Sequence, residues 1–536
     1  ITTASLSPPS GPVEPGGFDF QRFAWFRTLG AIGYTRMPVL EIAPPDRRGA
    51  VMWLAALRMR LARSIRARIP GEGGAFAAAI LTGDRSAIDP ATTQVLRDSN
   101  LAHLLAISGL HMGLLTGFVF AAIRYALAGV PYVALRVPVS RIAALGAFFT
   151  ALGYLLLSGG NIATQRAFVM VAVMLLAVMI DRRALTLRAV ALAAVIILVL
   201  RPESLIEAGF QMSFAATTAL VAAFALMRDR GWFLPGRGIW RGLGQRMLAL
   251  FLASLIAGIA TAPISAFHFN RVAQFGLIAN LASVPVMGLV IMPAAVLAVL
   301  VSPFGLAHLL WWVMGRGIAW VLFVATRVAA LEDAVFHVPT APGYVLALIT
   351  GGALLCALLR GGVRVGGLAP VLAGLLLWST AQRPLILISE NGRLVGVKTD
   401  SGRWLSRAKG NGFVATSWLR SDGDASPQDV AAARIPSGRR GRLIELDMAG
   451  STVLINLERK IGKQDIAAVC DDYALVIAPR LAAGAGQGAR NENGRCNLIT
   501  GADLAAGGSI AVTGRRDGKF SVLSAQDVSG RRLWTR

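Results

Sequence analysis

The sequence predicts a polytopic α-helical membrane protein of about ten spans, one or more of them broken, with a soluble C-terminal domain of α/β or β-rich type. Three observations carry this reading. The 536 residues are 55% hydrophobic and only 15% charged, against about 45–50% apolar and about 25% charged in ordinary soluble chains. The apolar excess is concentrated between Leu104 and Ala381, where apolar runs follow one another between Gly, Pro or Arg. Behind that block, short β-prone runs alternate with turn dipeptides. A large soluble helical core would need polar helix faces, and these segments mostly lack them, which excludes an ordinary soluble enzyme.

Hydropathy and length place helices at about 104–128, 141–158, 163–180, 187–200, 208–227, 247–269, 275–301, 304–330, 342–359 and 366–381. The fourth is short. The seventh carries Pro285 and Pro293, and each proline removes a backbone donor, so a break is expected there.

The net charge of +24 is mostly arginine, which suits cytoplasmic loop retention, polyanion attraction, or both. The first, third, fifth and ninth loops are Arg-rich, as in Arg136, Arg182, Arg183, Arg228, Arg230, Arg360 and Arg364. The even loops are poorer, and the eighth carries Glu332 and Asp333. The positive-inside rule then puts the odd loops in the cytoplasm, and the C-terminal domain on the outer, periplasmic face.

Ahead of the first span, residues 46–70 set Arg58, Arg60, Arg63, Arg66 and Arg68 among Trp53, Leu54, Leu57, Leu61 and Ile65. This is the pattern of a basic amphipathic helix. It fits the surface of the lipid bilayer, or a basic collar for a polyanion.

Polar residues inside the block are the candidate site, because an unpaired polar group in hydrocarbon is costly. His103, Ser108 and His111 lie in LAHLLAISGLHMGLL, with Gly109 and Gly113 spaced for close backbone approach. Asn161, Gln165 and Arg166 follow in GGNIATQRAF, Gln211 in EAGFQMSF, then His268, Asn270, Arg271 and Asn280. Under the topology above these residues share the outer ends of their helices. They describe a vestibule rich in Arg and amide donors, suited to an anion or a nucleic-acid backbone. The blander reading is interhelical hydrogen bonding. No metal or cofactor is expected, since no set of side chains has ligand spacing.

The stretch AILTGDRSAIDPATTQVLRDSNLAHLLAISGLHMGLL (Ala79–Leu115) resembles the ComEC family of competence proteins, inner-membrane channels for DNA uptake. GGNIATQRAFVM, RPESLIEAGFQMSFAAT and NLASVPVMGLVIMP support the resemblance in the same order. It implies four divisions: 1–45 as the tail of an N-terminal extracellular OB-like domain, 46–70 as the basic helix, 71–381 as the competence transmembrane domain, and 382–536 as a degenerate metallo-β-lactamase-like domain. Because the chain begins at Ile1, it is expected to be a fragment of a longer protein.

The resemblance implies transport of single-stranded DNA across the bacterial inner membrane in natural transformation. The partners it implies are a periplasmic DNA receptor, a cytoplasmic motor or DNA-processing protein, and a separate nuclease if one strand is degraded. No GxxxxGK[ST] phosphate loop is present. The alternative is a membrane-bound, metal-dependent hydrolase or nuclease acting on periplasmic nucleic acid. That chemistry needs metal-holding His and Asp, yet the last histidine is His337. A transporter or scaffold for unrelated cargo is the third reading.

In the tail, PLILISE, RLVGVKT, GRLIELD, STVLINL, DYALVIAP, SIAVTG and FSVLS read as strands, and DASPQDVAAAR and KIGKQDIAAVC as short helices. From Arg383 the tail has 23 Lys/Arg against 15 Asp/Glu, a balance that permits nucleic-acid contact. Cys470 and Cys496 are a candidate disulfide if this face is periplasmic; unpaired thiols are equally compatible.

Overall fold

The computed structural model describes residues 2–38, 40, 49–232, 239–436, 438–448, 451–457, 472–480, 497–514 and 520–535. The chain divides into two compact units. One takes in Ile1–Pro44, His337–Pro342 and Trp378–Arg536, the other Pro45–Phe336 and Gly343–Leu377.

The chain opens in the first unit with β1 (Ala4–Ser7), α1 (Phe20–Phe26) and β2 (Ile32–Thr35). β1 and β2 pair antiparallel, and Asp19 caps α1 by accepting from the Arg22 N–H at 2.9 Å.

The membrane unit follows. Its early helices are α2 (Ala50–Arg68), α3 (Gly71–Thr82), α4 (Pro90–Asp98), α5 (Ala102–Leu105), α6 (Gly109–Ala128) and α7 (Pro131–Ala134). Next come α8 (Val139–Leu157), α9 (Ile162–Met179), α10 (Leu187–Leu200), α11 (Ala208–Asp229) and α12 (Ile239–Phe269). β3 (Arg271–Ala273) leads to α13 (Gly276–Val286), α14 (Met292–Val301) and α15 (His308–Ala329). After β4 (Val335–His337), α16 (Gly343–Leu358) and α17 (Leu368–Ser379) complete the series.

Among the described residues eight helices are long and apolar enough to span a bilayer, and α10 and α16 are shorter apolar helices. The predicted first span differs. It is broken at Ala106–Ser108 into α5 and α6, because Ser108 adopts an extended backbone and caps α6. The seventh keeps its path across both prolines by widening into a π-helix at Met287–Ile291. Such a bulge absorbs the missing donor of Pro285 without severing the helix. The core of this unit gathers Phe76, Ile80, Leu104, Met287, Ile291, Met314, Ile318 and Val321.

The tail is β-rich. Its strands are β5 (Ile386–Ile388), β6 (Val395–Thr399), β7 (Gly402–Leu405), β8 (Arg439–Arg440), β9 (Leu443–Met448), β10 (Ser451–Asn456), β11 (Leu475–Ala478), β12 (Asn497–Thr500), β13 (Ile510–Gly514) and β14 (Phe520–Ser524). They form two five-stranded sheets, ordered β12-β11-β10-β9-β8 and β14-β13-β5-β6-β7. Alternation decides which faces meet. Ile386, Ile388, Val397 and Val512 pack against Ile444, Val453, Ile455 and Ile477 of the other sheet. Leu387 and Ala511 point the opposite way, onto Ala415, Trp418 and Leu419 of α18 (Gly412–Ser421). The DASPQDVAAAR segment forms α19 (Gln428–Ala433). α18, β7 and β12 were not anticipated. The helix expected in KIGKQDIAAVC, and both Cys470 and Cys496, lie outside the described residues.

The N-terminal segment belongs to this unit through bonds that span the chain. Ser509 Oγ donates to the Pro12 carbonyl at 2.7 Å and Trp418 Nε1 to that of Val13 at 2.8 Å. Arg383 reaches Glu14 at 2.5 Å and Asp422 at 2.8 Å. The fully buried Arg403 donates to Asp422 as well. Burial alone works to lower the affinity of the Arg383 guanidinium for its proton, but the two facing carboxylates hold its pKa above the usual value.

Candidate functional site

The polar residues singled out in the sequence resolve into three local groups near the ends of helices. The first lies at the start of α9. Asn161 caps this helix, its Oδ1 accepting from the Thr164 N–H and hydroxyl at 3.0 Å each. Gln165 Nε2 donates back to the Gly160 carbonyl at 2.6 Å. Gly159, at φ +79, makes room for Arg58; a Cβ there would sit 1.9 Å from the Arg58 guanidinium.

Arg166 lies one residue beyond Gln165. It is 9% exposed, 3.9 Å from the Glu207 carboxylate, and pressed so closely on Gly209 that a Cβ there would come within 2.7 Å. Its Nε–H is buried with no partner among the described residues. Gln211, one turn along α11 from Glu207, donates to the Leu205 carbonyl at 3.0 Å and accepts from His268 Nε2 of α12 at 2.8 Å.

The second group ties α4 and α5 to the entry of α13. Arg271 donates to Asp98 at 3.0 Å. Asn100, in the left-handed region at φ +62, packs on Gly276, where a Cβ would clash at 2.6 Å. The carbonyl of Asn100 meets His103 Nδ1 at 3.0 Å. Asn270 turns the chain out of α12, also at positive φ (57°). Asn280 lies on α13, with a buried Oδ1 that has no partner among the described residues.

The third group is Ser108 with His111. Ser108 is the N-cap of α6, and His111 occupies the third helical position, where it closes a capping box. Nδ1 lies 3.4 Å from the Ser108 N–H and 3.0 Å from its hydroxyl. A backbone N–H can only donate, so Nδ1 accepts and the ring proton resides on Nε2. That Nε2–H is fully buried and without a partner among the described residues. The glycines beside it do not bring a second backbone close, as their spacing suggested: a Cβ on Gly109 or Gly113 meets nothing within 4 Å.

The basic helix α2 is not uniformly a surface element. Arg60, Arg63 and Arg68 are exposed, whereas Arg58 is turned onto Gly159 and Arg66 pairs with Asp84 at 2.8 Å. Burial works to raise the Asp84 carboxyl, but hydrogen bonds from Ser86 and Arg66 outweigh it and hold the pKa below the usual range. Ala62 and Ile65 form the buried stripe, while Trp53 is 62% exposed. Asp84 and Asp98 are residues that sequence spacing did not assign, whereas Glu207 lies in the EAGFQMSF cluster read from the sequence. Each of the three carboxylates lies against one arginine, so these groups are less purely cationic than the sequence suggested. Among the described residues no His, Cys, Asp and Glu gather as a metal site.

These groups are built from the segments that comparison with known proteins also finds. A family model described as "Competence protein" matches residues 80–362, more than half of the chain. ComE operon protein 3 of Bacillus subtilis is 26% identical over 336 residues, which is 62% of this chain and 39% of that protein. Competence protein ComA of Neisseria gonorrhoeae is 27% identical over 417 residues, 75% of this chain and 54% of that protein. Recombination protein 2 of Haemophilus influenzae is 24% identical over 303 residues, 55% of this chain and 36% of that protein. The chain therefore spans well under two thirds of the length of these relatives. No solved structure matches it. With the family model covering the span from the end of α3 to beyond α16, and the buried polar groups lying within it, the chain belongs to the Competence protein family.

Proposed function

We propose that this chain is a channel component that carries single-stranded DNA across the bacterial inner membrane during DNA uptake in natural transformation. Membership of the Competence protein family and the names of the relatives support DNA uptake. The observation that carries the finer reading is Arg166. A buried guanidinium N–H with no acceptor among the described residues is a donor held ready for a ligand oxygen. The phosphate backbone supplies such oxygens at every step, whatever the base sequence. Arg271, Gln165, Gln211, Asn161, Asn270, Asn280, His103, Ser108 and His111 shape the same mouth, and the exposed Arg60, Arg63 and Arg68 attract a polyanion toward it.

In this reading α10 and α16 also cross, giving about ten crossings. The mouth and the C-terminal domain face the periplasm, where Cys470 and Cys496 would be free to pair. The domain descends from a metallo-β-lactamase-like hydrolase and has lost its chemistry; its paired sheets with flanking helices support that descent, and its lack of histidine supports the loss. A receptor in the periplasm, a motor in the cytoplasm and a separate nuclease complete the process. The test is internalisation of labelled DNA by a competent host whose own copy is replaced by this chain or by its Arg166→Gln variant. Loss with the variant supports the reading, and unchanged internalisation with a deletion sinks it. Cleavage of DNA by the purified full chain with zinc or manganese would favour the hydrolase instead.

A further inference from the structure

We propose that one face of α15, carrying Trp312, Arg316, Trp320, Phe323 and Arg327, binds single-stranded nucleic acid, stacking bases on its rings and holding backbone phosphates at its arginines. The inference deepens the channel reading above and rests on it for the identity of the ligand. In HLLWWVMGRGIAWVLFVATRVA, Met314, Ile318, Val321 and Ala325 fall on one side of the helix and are buried in the core of the membrane unit. That side is closely seated. A Cβ on Gly315 would stand 3.2 Å from Ile69, and one on Gly317 2.7 Å from Ile291. The rotation of the helix about its axis is thereby fixed, and the opposite side is left exposed. Along it His308, Trp312, Arg316 and Trp320 recur every fourth residue, and Phe323 and Arg327 continue the row.

This composition is wrong for a helix side that faces lipid. Arg316 lies eight residues beyond His308, the first residue of a helix long and apolar enough to span the bilayer. Its Cα is therefore about 12 Å from the nearer end. A charge at that depth is costly against hydrocarbon, so such a residue faces water or a partner. Among the described residues neither Arg316 nor Arg327 has a carboxylate partner; each lies over a ring instead. Arg316 Cζ is 5.4 Å from the Trp312 centroid and Arg327 Cζ 5.2 Å from that of Phe323. A ring face attracts a guanidinium without neutralising it or occupying its N–H donors, which remain for phosphate oxygens. The rings themselves are open: Trp312, Trp320 and Phe323 are 54%, 47% and 50% exposed. Trp320 is oriented by donating from Nε1 to the Ala282 carbonyl at 3.0 Å, and its centroid stands 5.8 Å from that of Phe323. Rings interleaved with arginines suit a flexible single strand, because every base has a π-face and every step a phosphate. Anionic lipid headgroups are met by cations beside the membrane surface and leave the rings between unused. A second copy of the chain, docked on the same patch, would set arginines against arginines.

The test measures binding of fluorescein-labelled oligothymidylate, by anisotropy, to the purified full chain in phosphatidylcholine nanodiscs. Arg316→Gln and Phe323→Leu should each weaken binding about tenfold, whereas Phe323→Tyr should keep it. The Arg316→Gln, Arg327→Gln double variant should flatten the slope of log affinity against log salt by about 1.4, the share of two phosphate contacts on a single strand. Loss of packing alone would not give that change of slope. Affinity and slope unchanged in these variants overturn the proposal. So does an effect confined to retention of phosphatidylglycerol, which makes the face a lipid contact, or to the mass of the solubilised particle, which makes it an interface between copies. Internalisation of labelled DNA by a competent host keeps the two readings apart. A parent chain that binds the oligonucleotide through this face yet internalises none overturns the channel reading and leaves the face standing. Internalisation by a parent whose binding none of these variants alters keeps the channel and removes the face.

Discussion

Arg166 and Gly209 show how two separate sequence stretches meet at the scale of single residues. The arginine sits one position after Gln165 in GGNIATQRAF, and the glycine that receives it lies within RPESLIEAGFQMSF, 43 residues later. Gly209→Ala should displace the guanidinium, destabilising the membrane unit by about 1–3 kcal/mol as an overpacked contact does. Thermal unfolding in detergent would register this, and a gain in stability would refute it. Gly113→Ala is the control: its Cβ meets nothing and Ala favours the helix over Gly, so its melting temperature should equal or exceed the parent's. His111→Ala removes a capping box and should cost about 1 kcal/mol. That the polar residues lie near helix ends was legible in the sequence. Their partners were not, because Asp98 and Arg271 stand 173 residues apart and no local period links them.

At the scale of elements, hydropathy located the apolar helices to within a few residues, since a span advertises itself by length alone. What it missed were interruptions. The break before Ser108 is hidden because Ala106, Ile107 and Gly109 keep the run apolar while the backbone leaves the helix. The disturbance around Pro285 and Pro293 was legible, but its resolution into a π-helix depends on what it packs against. Gly317 of α15 is that surface: a Cβ there would stand 2.7 Å from Ile291. Gly317→Val should push α15 from the π segment and cost roughly 1–3 kcal/mol, visible as a lower melting temperature in detergent. An unchanged melting temperature would show that the segment yields freely. The strands read from alternation are present, whereas GRWL (β7) and NLIT (β12) lack the longer apolar run that marks PLILISE and were missed.

At the scale of the whole molecule, the two ends of the chain share one compact unit, which no sequence period could reveal. Residues 12–14 lie hundreds of positions from the tryptophan, serine and arginine that bind them. Glu14→Ala should lower the stability of that unit by roughly 1–3 kcal/mol, the cost of a buried donor left short of a partner, measurable by limited proteolysis. Its pH response follows from Asp424. Burial works to raise this carboxyl, but hydrogen bonds from Arg434 and Ser426 hold it below the usual range. A depressed carboxylate contributes stability that is complete above its unfolded value of about 3.9 and is lost as pH falls through the folded one. Acid unfolding below about pH 4 should therefore be reduced in extent by Asp424→Asn, at the expense of stability at neutral pH.

Passage of DNA through the helical unit at Arg166 can be followed by cross-linking single-stranded DNA to the chain during uptake, with a photoreactive amino acid at position 165 or 211. DNA adducts are expected at both positions while uptake proceeds, with adducts and internalised label lost together in Arg166→Gln. Internalisation at the parental rate with no adduct at either position would contradict it.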